Sequence, residues 1–157
     1  MKKTLCAAAL AAALGWGAAA QADDGVIRIG FITDMSGLSA DADGPGGAEA
    51  IKMAIADFGG SVAGKKIEVL VADHQNRADI ASSRAREWLD QKGVNMLIAG
   101  ANSAAALAMA KVAEEKKTPF FVVSAGASEL TNSQCTPYTA VSYTHLRAHE
   151  TREDLVC

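Results

Sequence analysis

The stretch V26-I-R-I-G-F-I-T33 is crowded with β-branched and aromatic residues, and its apolar side chains fall at both odd and even positions. A strand of that composition is buried on both faces of a sheet. Beyond it a loop holds Gly37, Gly44, Pro45 and Gly46, and then the apolar period lengthens. Ile51, Ala54, Ile55 and Phe58 recur at the i, i+3, i+4, i+7 spacing of a helix with one stripe to lay on a sheet, and Gly59-Gly60 ends it. The alternation then repeats. Residues 67–72 read as a second strand after the Ala63-Gly64 turn, and residues 79–91 as a helix presenting Ala81, Ala85, Trp88 and Leu89 on one side. Lys92-Gly93 stops that helix with a cation near the last carbonyls and a glycine able to turn left-handed. Val94–Ala99 is the third strand; Ser103 is placed to cap an alanine-rich helix over 103–117; Thr118-Pro119 breaks it before a fourth strand, Phe120–Val123. Strands alternating with helices imply a parallel sheet joined by right-handed crossovers, with helices on both faces: a doubly wound α/β lobe.

Both ends of the chain depart from this pattern. Lys2 and Lys3 precede an apolar run over 5–16, and Ala20-Gln21-Ala22 supplies the small residues that signal peptidase requires. Residues 1–22 are therefore expected to be a secretory signal cleaved after Ala22. Gly15 and Gly17 break the run, which is shorter than the roughly 20 residues that span a bilayer, so no membrane insertion is expected. At the other end, residues 141–157, VSYTHLRAHETREDLVC, have no hydrophobic period and contain two of the three histidines in the chain. VSYTHLRAHET resembles one translated frame of a transposase sequencing adapter, and Asp154-Leu155-Val156-Cys157 fits the segment that follows its index. Residues 140–157 are accordingly expected to be a non-native tail, with 23–139 as the native lobe. His145 and His149, four residues apart beside Glu150, have the spacing of zinc ligands on one helical face. With the tail discounted, no metal is expected.

Composition narrows the function. The formal net charge is −3 and the basic residues are scattered, whereas nucleic-acid binding calls for a clustered positive stripe. Discounting Cys6 with the signal and Cys157 with the tail leaves Cys135. In an oxidising compartment its explanation is either a disulfide partner in sequence beyond this chain or burial as a free thiol.

In an open parallel sheet, ligands bind beyond the carboxyl ends of the strands, where helix N-termini offer unpaired N–H groups to carboxylate or phosphate. Two loops have the right chemistry, Gly100-Ala101-Asn102-Ser103 after the third strand and Ser124-Ala125-Gly126-Ala127-Ser128 after the fourth. Small side chains let a ligand approach the backbone, and the hydroxyls can donate to it. Asn102, Ser103, Ser124, Ala125 and Gly126 are the candidate ligand-binding residues; no catalytic residue and no cofactor are expected.

Ile29-Gly30-Phe31, Met35-Ser36-Gly37, Gly46-Gly47-Ala48, Asp73-His74-Gln75-Asn76, the Ser103 loop and Ser124-Ala125-Gly126-Ala127-Ser128-Glu129-Leu130-Thr131 together carry a resemblance. Over residues 26–139 the chain is similar to the periplasmic solute-binding proteins of branched-chain amino acid ABC transporters. The resemblance implies an incomplete N-terminal lobe of a two-lobed type I periplasmic-binding fold, a periplasmic location and a membrane permease as partner. It implies a small carboxylate ligand, a branched-chain or related amino acid, held by the serine matching Ser103 and by backbone and hydroxyl groups of loop 124–126. Gly126 stands where amino-acid binders often have a threonine, and Asn102 where some relatives have a disulfide cysteine. The Asp-His-Gln-Asn segment resembles a subgroup that includes binders of aromatic carboxylates. Amine-recognising residues belong to the family's second lobe.

Other readings fit less well. A dinucleotide enzyme needs its glycines directly at the strand-to-helix turn, but Gly44-Pro45-Gly46-Gly47 begins about ten residues after Thr33. A hydrolase lacks its Gly-x-Ser-x-Gly elbow, and His74, the only histidine outside the tail, is expected in a loop or at the cleft rim. Asp41 and Asp43 read as a polar turn, since the other ligands of a calcium loop are missing. A sensory ligand-binding domain of a receptor or regulator is the alternative that shares the lobe architecture.

Overall fold

In the computed structural model, residues 25–142 are described. The expected signal, the His145/His149/Glu150 group and Cys157 lie outside them. Strand β1 (Val26–Thr33) is followed by a four-residue helix α1 (Ala40–Asp43) and by α2 (Pro45–Asp57), with proline at the first helical position, where its missing N–H costs nothing. A two-residue strand β2 (Ser61–Val62) pairs antiparallel with β3 (Lys65–Asp73). The two residues between them, Ala63 and Gly64, both have positive φ (50° and 77°), as tight hairpins require. Then come α3 (Ala78–Gln91), β4 (Val94–Ala99), α4 (Ser103–Lys116), β5 (Phe120–Val123), a 3-10 turn at Ser128–Leu130, and β6 (Thr139–Ser142). Gly93, at φ 63°, ends α3 as its position predicts. The four expected strands all form, parallel to one another; β1 and α3 lie within a residue or so of their predicted bounds.

The strands lie in the order β2-β3-β1-β4-β5-β6. Side chains alternate between the faces, so one parity in each strand meets α3 and α4. On that face Ile32, Leu97, Phe120 and Val122 are fully buried with Trp88, Met109 and the small residues Ala81, Ala85, Ala106 and Ala113. Gly30 explains the fit of the large ring: a Cβ there would stand 2.7 Å from Trp88 Cε3, so the bare strand lets the indole lie against it. The opposite parity meets α2, where Phe31 packs beneath Gly47 and Ala48. This face is covered less completely than the apolar stripe predicts. Ile51 and Ile55 are half-buried, but Ala54 is exposed and Phe58 is 66% exposed.

Two strands were not visible in the sequence pattern. β2 is too short to show a period, and β6 runs across residues 140–142, which the sequence reading expects to belong to the tail. β6 pairs parallel with β5, and Val141 is buried against the α4 face. Cys135 is disulfide-bonded. Among the described residues no helix is long and apolar enough to cross a membrane.

Candidate functional site

Because β1, β3, β4 and β5 run parallel, their carboxyl ends share one edge. The chain winds from β1 outward to β3 and then returns to place β4 on the other side of β1, so the sheet order reverses between β1 and β4. Crevices at such a reversal are where α/β sheets take ligands. Here the crevice is filled from within. Asp43, at the end of α1, is buried there, with its Oδ1 accepting from Thr33 Oγ1 at 3.0 Å and a further bond from the Ala101 backbone N–H. Gly100 makes room for it, since a Cβ would overlap the Asp43 carboxylate and the Thr33 hydroxyl. Burial raises the Asp43 pKa above its usual value, and the bonds from Thr33 and Ala101 only partly offset that. Asp43 Oδ2 is buried without a hydrogen-bond partner. The polar-turn expectation is thus corrected: α1 turns Asp43 inward, and among the described residues no group of three acidic, histidine or cysteine side chains could hold a metal ion.

Two more carboxylates shape the surrounding loops. Asp34, fully buried, accepts the N–H groups of Gly37 (2.7 Å) and Ser39 (2.9 Å), which folds the loop after β1 back on itself. Asp73 accepts from Met35 N (3.0 Å), Ser36 Oγ (2.5 Å) and Gln75 N (2.7 Å), tying the loop after β1 to the loop after β3. Desolvation pushes the Asp73 pKa up, but these three donors together outweigh it and hold the carboxyl below its usual range.

His74 is not at a rim. It is 1% exposed, because its backbone N–H bonds to Thr33 O at 2.9 Å and draws the residue into the edge of the sheet. Its Nδ1 accepts the Asn76 N–H at 3.0 Å, which places the imidazole proton on Nε2, an atom buried without a partner. Burial depresses its pKa against the pull of Asp34, Asp73 and Asp43, so the ring is neutral.

The candidate ligand residues follow the neighbouring strands β4 and β5. Asn102, and not Ser103, is the N-cap of α4: its Oδ1 accepts the Ala105 N–H at 2.8 Å. Both residue types cap well, and the chain leaves β4 with Asn102 at the extended cap position and Ser103 already inside the helix. Ser103 is half-buried at the first helical position, and its own N–H and that of Ala104 have no intrahelical carbonyl to reach. Across from it, Ser124 leaves β5 with φ 68°, a left-handed conformation uncommon for serine and of the kind stored at functional sites. Ser124 and Gly126 are exposed, while Ala125 is fully buried in the core under α4. The structure therefore brings Asn102, Ser103, Ser124 and Gly126 to adjoining strand ends, and it turns Ala125 inward as the anchor of its loop. Asn76, missed as a site residue, joins them: its Oδ1 accepts from Asn102 Nδ2.

Comparison with known proteins agrees with this fold. A family profile described as "Periplasmic binding protein" matches residues 26–151. No curated protein sequence matches the chain. The chain is similar to a periplasmic binding protein of Burkholderia mallei, at 62% identity and a TM-score of 0.73, covering 74% of this chain and 32% of that one. It is similar at 34% identity to a solute-binding protein of an ABC transporter from Rhodopseudomonas palustris BisB5 in complex with 3,4-dihydroxybenzoic acid (TM-score 0.66; 75% and 32% covered). It is also 34% identical to a branched-chain amino acid ABC transporter periplasmic ligand-binding protein from Burkholderia xenovorans LB400 (TM-score 0.68; 73% and 30% covered). The chain spans about a third of the length of each of these proteins.

Proposed function

The chain belongs to the periplasmic binding protein family, and from that premise we propose that it is part of the extracytoplasmic solute-binding component of an ABC transporter. In this reading it supplies one wall of a cleft that captures a small carboxylate, and a membrane permease receives the solute. The observation that carries the proposal is the pairing at the carboxyl edge of the capped N-terminus of α4 with the Ser124–Gly126 loop on the next strand. The N–H groups of Ser103 and Ala104 sit at the positive end of the α4 dipole, which favours an anion, and the exposed residue Ser124 follows β5 at the same edge. Asp34, Asp43 and Asp73 each accept internal donors in the loops beside that edge. The first 22 residues are the export signal and residues 140–157 the non-native tail in the same reading.

Two carboxylate classes are candidates. A relative at 34% identity holds a dihydroxybenzoate, and another at the same identity is named for branched-chain amino acids. The residues of this edge recognise what the two share, the carboxylate. The test is calorimetric titration of the protein extended through its second lobe with 3,4-dihydroxybenzoate, benzoate, leucine and valine, each beside its methyl ester. Binding of at least one acid, with its ester weaker by about 100-fold for the loss of charged hydrogen bonds, is the expected result. Equal binding of acid and ester would remove the α4 edge as the recognition element. Residues 23–139 alone, with one wall of the cleft, are expected to bind far more weakly than the extended protein.

A further inference from the structure

We infer that His74 and Asn76 are positioning residues for the ligand loops, through a relay of hydrogen bonds that ends at the N-terminus of α4. The inference rests on the carboxylate-binding reading of that edge. Each residue in the relay is hydrogen-bonded to the next, the first link through the Asn76 backbone. His74 Nδ1 accepts the Asn76 N–H, Asn76 Oδ1 accepts from Asn102 Nδ2, and Asn102 Oδ1 accepts the Ala105 N–H. The relay thus starts at a fully buried imidazole and runs outward across two loops, from the end of β3 to the first turn of the helix beyond β4.

The backbone of the first loop shows why it needs holding. Gln75 and Asn76 have φ of 51° and 57°, two consecutive non-glycine residues in the left-handed region. Asparagine tolerates that region better than most residues; glutamine gains no such relief. Two acceptors secure the turn from beneath, Asp73 Oδ1 on the Gln75 N–H at 2.7 Å and His74 Nδ1 on the Asn76 N–H. With the turn set, the Asn76 amide oxygen reaches Asn102. A carboxylate gains most from N–H groups whose positions are fixed before it arrives, so a tie that fixes the α4 cap raises affinity without touching the ligand.

The chemistry of the first link makes the relay sensitive to protons. Only a neutral ring with its proton on Nε2 offers Nδ1 as an acceptor. A second proton would set an N–H against the N–H of Asn76 and break the link. The charged groups acting on the ring are Asp34 at the end of β1, Asp43 on α1 and Asp73 on β3, all of which favour the imidazolium, while burial opposes it and prevails.

Two variants separate the backbone from the side chain. Asn76→Gly keeps the left-handed turn and removes the acceptor; Asn76→Asp keeps both. Amide hydrogen exchange of Ala105, corrected for intrinsic rates and followed from pH 8 to pH 5, reads the relay without any ligand. Affinity of the extended protein for 3,4-dihydroxybenzoate and for leucine reads its consequence. Asn76→Gly is expected to speed Ala105 exchange and weaken carboxylate binding by about five- to tenfold, the size of one or two net hydrogen bonds, with Asn76→Asp near wild type in exchange. Burial holds the His74 pKa below its usual value, so the relay in wild type should persist through neutral pH and loosen toward Asn76→Gly only once acid protonates the ring. Unchanged Ala105 exchange in Asn76→Gly, or failure of Asn76→Asp to restore it, overturns the relay. Faster Ala105 exchange in Asn76→Gly, together with a wild-type protein that binds neither acid, would sustain the relay and refute the carboxylate reading instead.

Discussion

Beneath α3 and α4 the sheet is sealed, with Ile32, Leu97, Phe120 and Val122 wholly out of water, whereas the face beneath α2 leaves Phe121 43% exposed and Val69, Val71 and Ile98 only half-buried. The same strands build both faces, and their apolar residues alternate to both sides. The difference lies in the helices. α3 and α4 pack against each other and present alanines and one large ring, so they approach the strands closely. α2 stands alone over β1 and β3, meeting them with Gly47, Ala48, Ile51 and Ile55 while Met53 and Phe58 face water. A strand apolar on both sides therefore records the burial that a sheet is built for, and a single helix covers only part of it.

The contrast can be broken by mutation. Trp88→Ala should cost about 3–5 kcal/mol of unfolding free energy in urea titration, the range for removing a large buried aromatic, while Phe121→Ala on the opposite face should cost about 1 kcal/mol or less. Comparable losses would mean that the α2 face is as sealed in solution as the other. A smaller effect separates two glycines. Gly30→Ala puts a methyl against the Trp88 ring and should cost about 1–3 kcal/mol. Gly46→Ala, in the first turn of α2 with open space around it, should instead gain up to about 1 kcal/mol from helix propensity.

The polar edge where the faces meet should respond to pH in two opposed ways. His74 has a depressed pKa, so the unfolded chain takes up its proton first; stability is full above 6.5 and falls as the pH drops through the folded value. Asp43 has a raised pKa, so its contribution is full below 3.8 and is lost as the pH rises through its folded value. Thermal unfolding across this range should show the first slope, and His74→Gln should flatten it. The smallest expected effect is Phe58→Lys on the exposed rim of α2, within about 0.5 kcal/mol of wild type.

Much of this architecture was readable in advance, and the omissions have physical causes. Four strands declared themselves because β-branched runs bounded by turns have few other homes. The α4 cap was displaced by one residue because asparagine and serine, both good caps, are adjacent, and only the direction in which the chain leaves β4 chooses between them. α1 and β2 are shorter than any period that could reveal them. His74 read as a loop residue because its neighbours in sequence are polar, yet what buries it is the edge around Thr33, Asp34 and Asp43.

By itself the sequence determined the strand and helix alternation, the parallel sheet with helices on both sides, and the two small-residue loops at the carboxyl edge. These follow from local periodicity and backbone preference, which neighbouring residues suffice to express. Only the tertiary structure decided that the crevice between β1 and β4 is filled by Asp43, that Ala125 points inward, and that Asn76 reaches across to Asn102. Each of those depends on which groups two separate segments bring within hydrogen-bonding or packing distance, and no local pattern carries that information.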